Sequence, residues 1–157
     1  GKLNLISTAY STRKQKRFDL ISRISEFKNV NVRHYGNWPK NIDHSNVNLN
    51  QTLSHKDLCK EITKSDYLLH PAEKDICPNS VVEALSLGVP VIYLDKGSSK
   101  EIVKDNGISI DIKNLANTLE LAHEKNKIFK SNLRKNKFQY RIENVSEQYL
   151  KVFEKYS

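Results

Sequence analysis

A doubly wound α/β sheet, mostly parallel, is the fold class this sequence predicts, and three observations predict it. Short apolar runs alternate with amphipathic stretches along nearly the whole chain, the pattern of strands joined by crossover helices. Residues 66–95 read as strand, polar loop, helix, turn, strand, which is a βαβ unit. The length, 157 residues, suits one domain with one core, and neither an internal repeat nor a low-complexity linker divides it.

The elements follow in order. Residues 3–7 (LNLIS) are a short apolar run and predict a buried first strand. A polar stretch over 8–15 carries Arg13 and Lys14. Residues 16–27 place Phe18, Ile21, Ile24 and Phe27 three apart, which predicts an amphipathic helix. Val30, Val32 and His34 alternate with polar residues in a second strand that ends at Tyr35 and Gly36. A polar loop holding Trp38 and Pro39 leads to a brief third strand at 47–50. Ser54, with Asp57 three residues on, opens a helix whose apolar face carries Leu58 and Ile62.

The βαβ unit comes next. Tyr67, Leu68 and Leu69 stop at His70 and Pro71, and a loop runs over 72–78. A helix over 79–87 is closed by Gly88, and a strand covers 91–94. A short helix over 98–104 and a strand over 107–110 complete the sheet. Leu115, Leu119 and Ala122 mark one further helix, and the basic, Pro- and Gly-free stretch 125–141 a second. Asn144, with Glu147 three residues later, starts a last helix striped by Tyr149, Leu150, Val152, Phe153 and Tyr156.

The net charge of +8 admits a phosphate-bearing ligand, an anionic membrane surface or a solvated lysine-rich exterior. No aromatic-basic ribonucleoprotein pattern or zinc-finger spacing accompanies it, so nucleic acid is not expected as a partner. Cys59 and Cys77 lie too far apart for a paired-cysteine metal motif and too few for a disulfide scaffold, which points to a reducing, cytoplasmic setting. Neither a transmembrane-length apolar run nor a signal peptide is visible, and the two N-x-S/T matches, at Asn50 and Asn144, read as chance. The chain lacks Met and opens on a strand at Gly1, so it is expected to be a piece of a longer protein.

In βαβ units ligands sit beyond the carboxyl ends of the strands and anions at the helix N-terminus, so chemistry is expected in the loop before Asn79. Asn79 or Ser80 can cap the helix and turn its first N–H groups toward phosphate oxygens, a contact worth about 0.3–1 kcal/mol when exposed and up to about 2 kcal/mol when partly buried. Arg13, Lys14, Lys16 and Arg17 follow the first strand, where a cationic cluster suits a diphosphate or merely forms a solvated helix face. Glu83 has two readings: a ligand contact, or the capping-box partner of Ser80; Glu101 has the same capping relation to Ser98. Asp75 reads equally as a turn aspartate, and His70 as a packed strand-end residue. Cys77, beside a helix start, has no His near it in sequence to make it a nucleophile.

The run HPAEKDICPNSVVEALSLGVPVI resembles the donor-binding signature of the retaining glycosyltransferases of family 4, also called group 1: an acidic residue, seven residues, Glu, then Ala and a Gly-x-Pro-Val-Ile turn. Glu83, Ala84, Gly88, Pro90, Val91 and Ile92 carry the match. SSKEIVKDNGISI and LISTAYSTRKQKRFDLI resemble the family's following and opening segments, so the likeness covers nearly the whole chain. The resemblance implies the C-terminal, Rossmann-like donor half of a two-domain GT-B enzyme, with residues 1–157 as one nucleotide-sugar-binding domain. Glu83 would hold the ribose hydroxyls. Asp75, where the family usually has Glu, would stand near the donor sugar as the other catalytic carboxylate. Backbone N–H groups of Ile76 and Cys77 would meet sugar hydroxyls; those of Asn79, Ser80 and Val81 open the helix that faces the diphosphate. Arg13 and Lys16 would bind phosphate, with Arg17 where a Gly usually follows the Lys.

The implied substrate is a nucleotide-diphosphate sugar, transferred with retention to a glycan or lipid acceptor held on an N-terminal domain, with no metal or other cofactor required. The basic surface would lie peripherally on an anionic membrane. Two further readings stay open: a nucleotide- or phosphate-binding module without transfer activity, and half of a GT-B sugar-nucleotide epimerase.

Overall fold

The computed structural model describes residues 1–73, 79–96 and 99–136. Along them run β1 (Leu3–Ala9), α1 (Phe18–Ser25), β2 (Val30–Gly36), β3 (Val47–Asn50), α2 (His55–Thr63), β4 (Tyr67–His70), α3 (Asn79–Ser86), β5 (Val91–Tyr93), α4 (Ser99–Val103), β6 (Gly107–Ser109) and α5 (Leu115–Lys135). The strands form one sheet in the order β3-β2-β1-β4-β5-β6, and every pairing is parallel. The expected doubly wound α/β architecture is therefore present.

Strand alternation divides the core between the two faces of the sheet. Leu3 and Leu5 of β1 join Tyr67 and Leu69 of β4 in a cluster covered by α1 and α5. Ile6 and Leu68 point the other way and join Val91 and Tyr93 under α2, α3 and α4. A period of two along each strand produces this split, and each helix lays one apolar stripe on the sheet. Tyr67, fully buried, donates its hydroxyl to the Ala122 carbonyl at 2.7 Å and so fixes α5 against β4. Asn126 adds a bond to the Asp66 carbonyl at 2.8 Å.

Two expected boundaries differ. The helix predicted from residue 16 begins at Phe18, because Arg17 adopts a left-handed conformation (φ 55°, ψ 50°) that a helix cannot continue through, and Lys14–Lys16 forms a separate tight turn. The helices expected around 115–122 and from 125 onward are one helix of 21 residues, Leu115–Lys135, as nothing between Ala122 and Lys125 breaks it. The end of that basic stretch, and the last helix from Asn144, lie outside the described residues. So do Lys74 to Pro78 in the loop after β4.

The sheet order reverses between β1 and β4: the chain winds outward through β2 and β3 on one side, then through β5 and β6 on the other. At such a switch point the connections leave the carboxyl ends of the two central strands in opposite directions and open a crevice between them.

Candidate functional site

Two loops border that crevice. One leaves β1 and carries Arg13, Lys16 and Arg17. The other leaves β4 through His70 and Glu73 toward α3. They are bonded to each other: the Glu73 N–H donates to the Gln15 carbonyl at 2.6 Å, and Arg17 donates to the Glu73 carboxylate at 2.7 Å. Arg17 also donates twice to Asp19, at 3.0 Å each. Its left-handed backbone is the conformation glycine adopts most readily, so Arg17 occupies a glycine-favouring position and holds it with three charge-assisted bonds. Hydrogen bonding by Arg17 holds the Asp19 carboxyl below its ordinary range, against the opposing effect of burial.

A cavity of about 790 Å³ lies over this loop. Arg13, Arg17, Asp19 and Glu73 line it, with Pro39 and Ile42 opposite. Arg13 is exposed there, whereas Arg17 is engaged by its carboxylate partners. Lys16 instead lines a crevice of about 10 Å³, room for about one water, between Ser7 and Thr8 of β1 and Leu69 and His70 of β4. Arg13 and Lys16 thus flank the same loop but open into neighbouring spaces.

Beneath the β1 loop, His34 is fully buried. Its Nε2 bonds the Asn37 carbonyl at 2.7 Å, so Nε2 carries the proton, and Nδ1 accepts from the Ser7 hydroxyl at 2.7 Å. Burial holds the imidazole below its ordinary pKa, partly offset by the bond to Asn37. Phe18 and Trp38 pack edge-on to its ring.

Glu83 stands on α3, on the other side of the switch point. Helix α3 starts at Asn79, which places Ser80 inside the first turn and not at the N-cap. The Glu83 carboxylate is taken by His55 of α2, whose Nε2 lies 2.7 Å from Oε1. The Glu83 side chain is 31% exposed and that of His55 73%, so the pair sits at the surface, and His55 engages one of the two carboxylate oxygens. Cys59, one helical turn after His55, brings Sγ to 3.7 Å from the same Nε2. Burial, then the nearby Glu83 charge, raises the Cys59 thiol above its ordinary value. His55 follows the β3–α2 connection, where Gln51 and Thr52 line a second cavity of about 440 Å³ with Gly36 and Asn37.

The residues named from the sequence fall into three groups. Arg13 and Lys16 border the crevice from the β1 side. Asn79, Ser80, Val81 and Glu83 belong to the first turns of α3, with Val81 fully buried so that only its backbone can serve a ligand. Asp75, Ile76 and Cys77 lie outside the described residues. The partners missed in sequence were His55 and Cys59, beside Glu83, and Glu73, beside Arg17. The His55–Cys59 spacing is visible as an i, i+4 helical pair; nothing local shows that α3 sets Glu83 against it.

Residues 40–145 match the family model for glycosyl transferases group 1. No curated protein sequence matches the chain. Solved structures similar to it include a mutant of S. aureus TarM in complex with fondaparinux, alpha-GlcNAc-glycerol and UDP (TM-score 0.69, 19% identity, covering 97% of this chain and 35% of that one). WaaG, a glycosyltransferase involved in lipopolysaccharide biosynthesis, is similar with TM-score 0.71 and 18% identity, over 94% of this chain and 46% of WaaG. Anabaena HepE in complex with UDP-glucose is similar with TM-score 0.71 and 13% identity, over 98% of this chain and 49% of HepE. At these identities the likeness is one of fold, and the chain spans less than half of each of these three proteins.

Proposed function

The chain belongs to the group 1 glycosyltransferases, and from that premise we propose that residues 1–157 are the donor-binding domain of a retaining enzyme, which takes a nucleotide-diphosphate sugar. The observation that carries the reading is the Glu83 carboxylate, held at Oε1 by His55 at 2.7 Å beside the start of α3. Oriented in this way, it can accept from a ribose diol with its second oxygen while the backbone N–H groups of Asn79, Ser80 and Val81 face a diphosphate. Arg13 and Lys16 are assigned to the same anion, Lys16 from the crevice between β1 and β4 and Arg13 from the neighbouring cavity.

No protein nucleophile is required. As the bond from the anomeric carbon to the diphosphate lengthens, negative charge collects on the departing oxygen. The cations and the helix N-terminus stabilise that charge more than they stabilise the intact donor, which lowers the barrier. The acceptor hydroxyl attacks from the face the diphosphate leaves and passes its proton to the leaving phosphate. Asp75 is assigned to the donor sugar, and no metal is given a role in the step. The acceptor belongs to an N-terminal domain, so this chain alone binds donor and transfers sugar poorly or not at all. We place the enzyme on the cytoplasmic side. None of the described helices is long and apolar enough to cross a membrane, and the +8 charge suits peripheral contact with anionic lipid, which vesicle cosedimentation tests.

Calorimetric titration with UDP-, GDP- and ADP-sugars tests the reading. Binding to at least one is expected, with Glu83→Gln weakening it at least about tenfold, roughly 1.4 kcal/mol, while the melting temperature barely changes. Absence of binding to all three at millimolar concentration overturns the donor site. A Glu83→Gln protein that loses stability but keeps its affinity returns Glu83 to a purely structural role.

A further inference from the structure

We propose that His55, Cys59 and Glu83 form a binding site for a borderline-soft divalent cation of the zinc class, and that an ion held there takes Glu83 away from the donor. The second half rests on the donor role proposed above for Glu83; the first does not. The three ligand atoms all lie within 4.8 Å of one another. His55 and Cys59 share one face of α2 at i and i+4, a spacing that points two side chains at one ion, and α3 supplies the third ligand.

Two of the three ligand separations suit an ion with little movement, and the third, Cys59 to Glu83, is within 4.8 Å. Ordinary zinc bonds to nitrogen, sulfur and oxygen, arranged tetrahedrally, separate the ligand atoms by roughly 3.3–3.8 Å. Cys59 Sγ and His55 Nε2 already stand 3.7 Å apart. His55 Nε2 and Glu83 Oε1, now 2.7 Å apart, must open by roughly 0.6 Å. A His55 side chain that is 73% exposed can make that movement by a small rotation, and the same exposure gives the ion a path in and leaves a fourth position for water. Thiolate and imidazole select zinc over magnesium or calcium. With Oε1 bound to the ion and His55 turned with it, the carboxylate no longer presents the geometry or charge that a ribose diol meets in the ion-free protein. The ion is thus a competitor of the donor and has no part in transfer.

Cobalt titration of the chain reads the site directly, because a thiolate–cobalt charge-transfer band reports Cys59 and visible d–d bands report a tetrahedral site. The bands are expected in the unmodified chain and in Cys77→Ser, and zinc should abolish them. Cys59→Ser should remove the charge-transfer band and weaken the ion by more than the roughly 10–100-fold that loss of an outer partner costs. A band that persists in Cys59→Ser, or vanishes in Cys77→Ser, overturns the site. The competition is read by titrating UDP-glucose with and without saturating zinc. At least about tenfold weaker binding is expected in the unmodified chain and none in Cys59→Ser, which also controls for zinc held by the nucleotide. Equal affinities with and without zinc overturn the competition. Failure of UDP-glucose to bind the ion-free chain also removes the competition, and counts against the donor reading as well, whereas the cobalt bands decide the metal site by themselves.

Discussion

The Arg17 guanidinium donates to the Glu73 carboxylate at 2.7 Å and joins the loop that leaves β1 to the loop that leaves β4. These two strands are neighbours at the switch point, so the ion pair closes one end of the crevice where a ligand is expected. Arg17 does this from a left-handed backbone conformation, with Asp19 held on its other edge.

Two opposing effects can be separated at Arg17. Arg17→Ala keeps the left-handed cost and loses all three bonds; a destabilisation of about 1–2 kcal/mol is expected, since the pairs are only partly buried. Arg17→Gly loses the same bonds and also relieves backbone strain of roughly 1 kcal/mol. Urea unfolding should therefore rank the glycine variant about 1 kcal/mol above the alanine variant. Equal midpoints for the two would mean that the loop relaxes out of the left-handed conformation.

His34 gives a pH dependence with a definite sign. Burial lowers its pKa in the folded chain, so the unfolded chain binds the proton first as pH falls. Stability from this group is fully present above the unfolded value of 6.5 and is lost as pH drops toward the lower folded value. Thermal melts should move down between pH 7.5 and 5.5, and imidazole NMR should still show the neutral Nε2–H form of His34 just below pH 6.5. Ser7→Ala leaves Nδ1 buried without its donor and should cost about 1–3 kcal/mol. A His34 resonance that titrates at or above 6.5 would contradict the buried tautomer.

Much of this architecture was legible in sequence because the signals are local. The alternation Val30, Val32, His34 sets a strand and its end at Gly36, and Ser54 caps α2 by accepting from the Asp57 N–H at 3.2 Å, as its spacing predicts. The loop positions of Arg13 and Lys16 were also legible, since they follow directly from the strand before them. What failed locally was the start of α1: the helix-compatible residues Lys16 and Arg17 extend the predicted helix back to 16, but the hydrophobic spacing begins at Phe18 and the left-handed backbone at Arg17 starts the helix there. The environment of Glu83 was not legible at all. Ser80 and Glu83 have capping-box spacing, yet the carboxylate goes to His55, 28 residues away, because helix packing outcompetes a local bond that the helix start at Asn79 no longer offers.

Two glycines with positive φ should respond differently to alanine. A Cβ on Gly36 (φ 114°) would stand 2.1 Å from the Ala9 carbonyl oxygen, a rigid backbone atom at the carboxyl end of β1. Gly36→Ala must therefore part β1 from β2 or distort the loop below the crevice, and a loss of at least about 3 kcal/mol is expected. Gly88 (φ 82°) has no atom within 4 Å of such a Cβ, so Gly88→Ala bears the conformational cost alone, about 1 kcal/mol. Comparable losses in the two variants, measured by denaturant unfolding, would show that strain and not the clash governs both.

His55 should influence donor binding without supporting the fold. Its side chain is 73% exposed, so His55→Ala removes little packing and should shift stability by less than about 0.5 kcal/mol. The same change frees the Glu83 carboxylate to rotate, because the bond at 2.7 Å that fixes Oε1 is gone. If Glu83 meets a ribose diol, that freedom must be lost again on binding, at a cost of roughly 0.5–1.5 kcal/mol, or about 2–10-fold in affinity. His55→Gln keeps a donor near Oε1 and should recover part of the loss. Calorimetry in chelator-treated buffer makes the comparison, since removing stray metal separates orientation of the carboxylate from capture of an ion. An unchanged affinity in His55→Ala would mean that Glu83 is positioned by α3 alone.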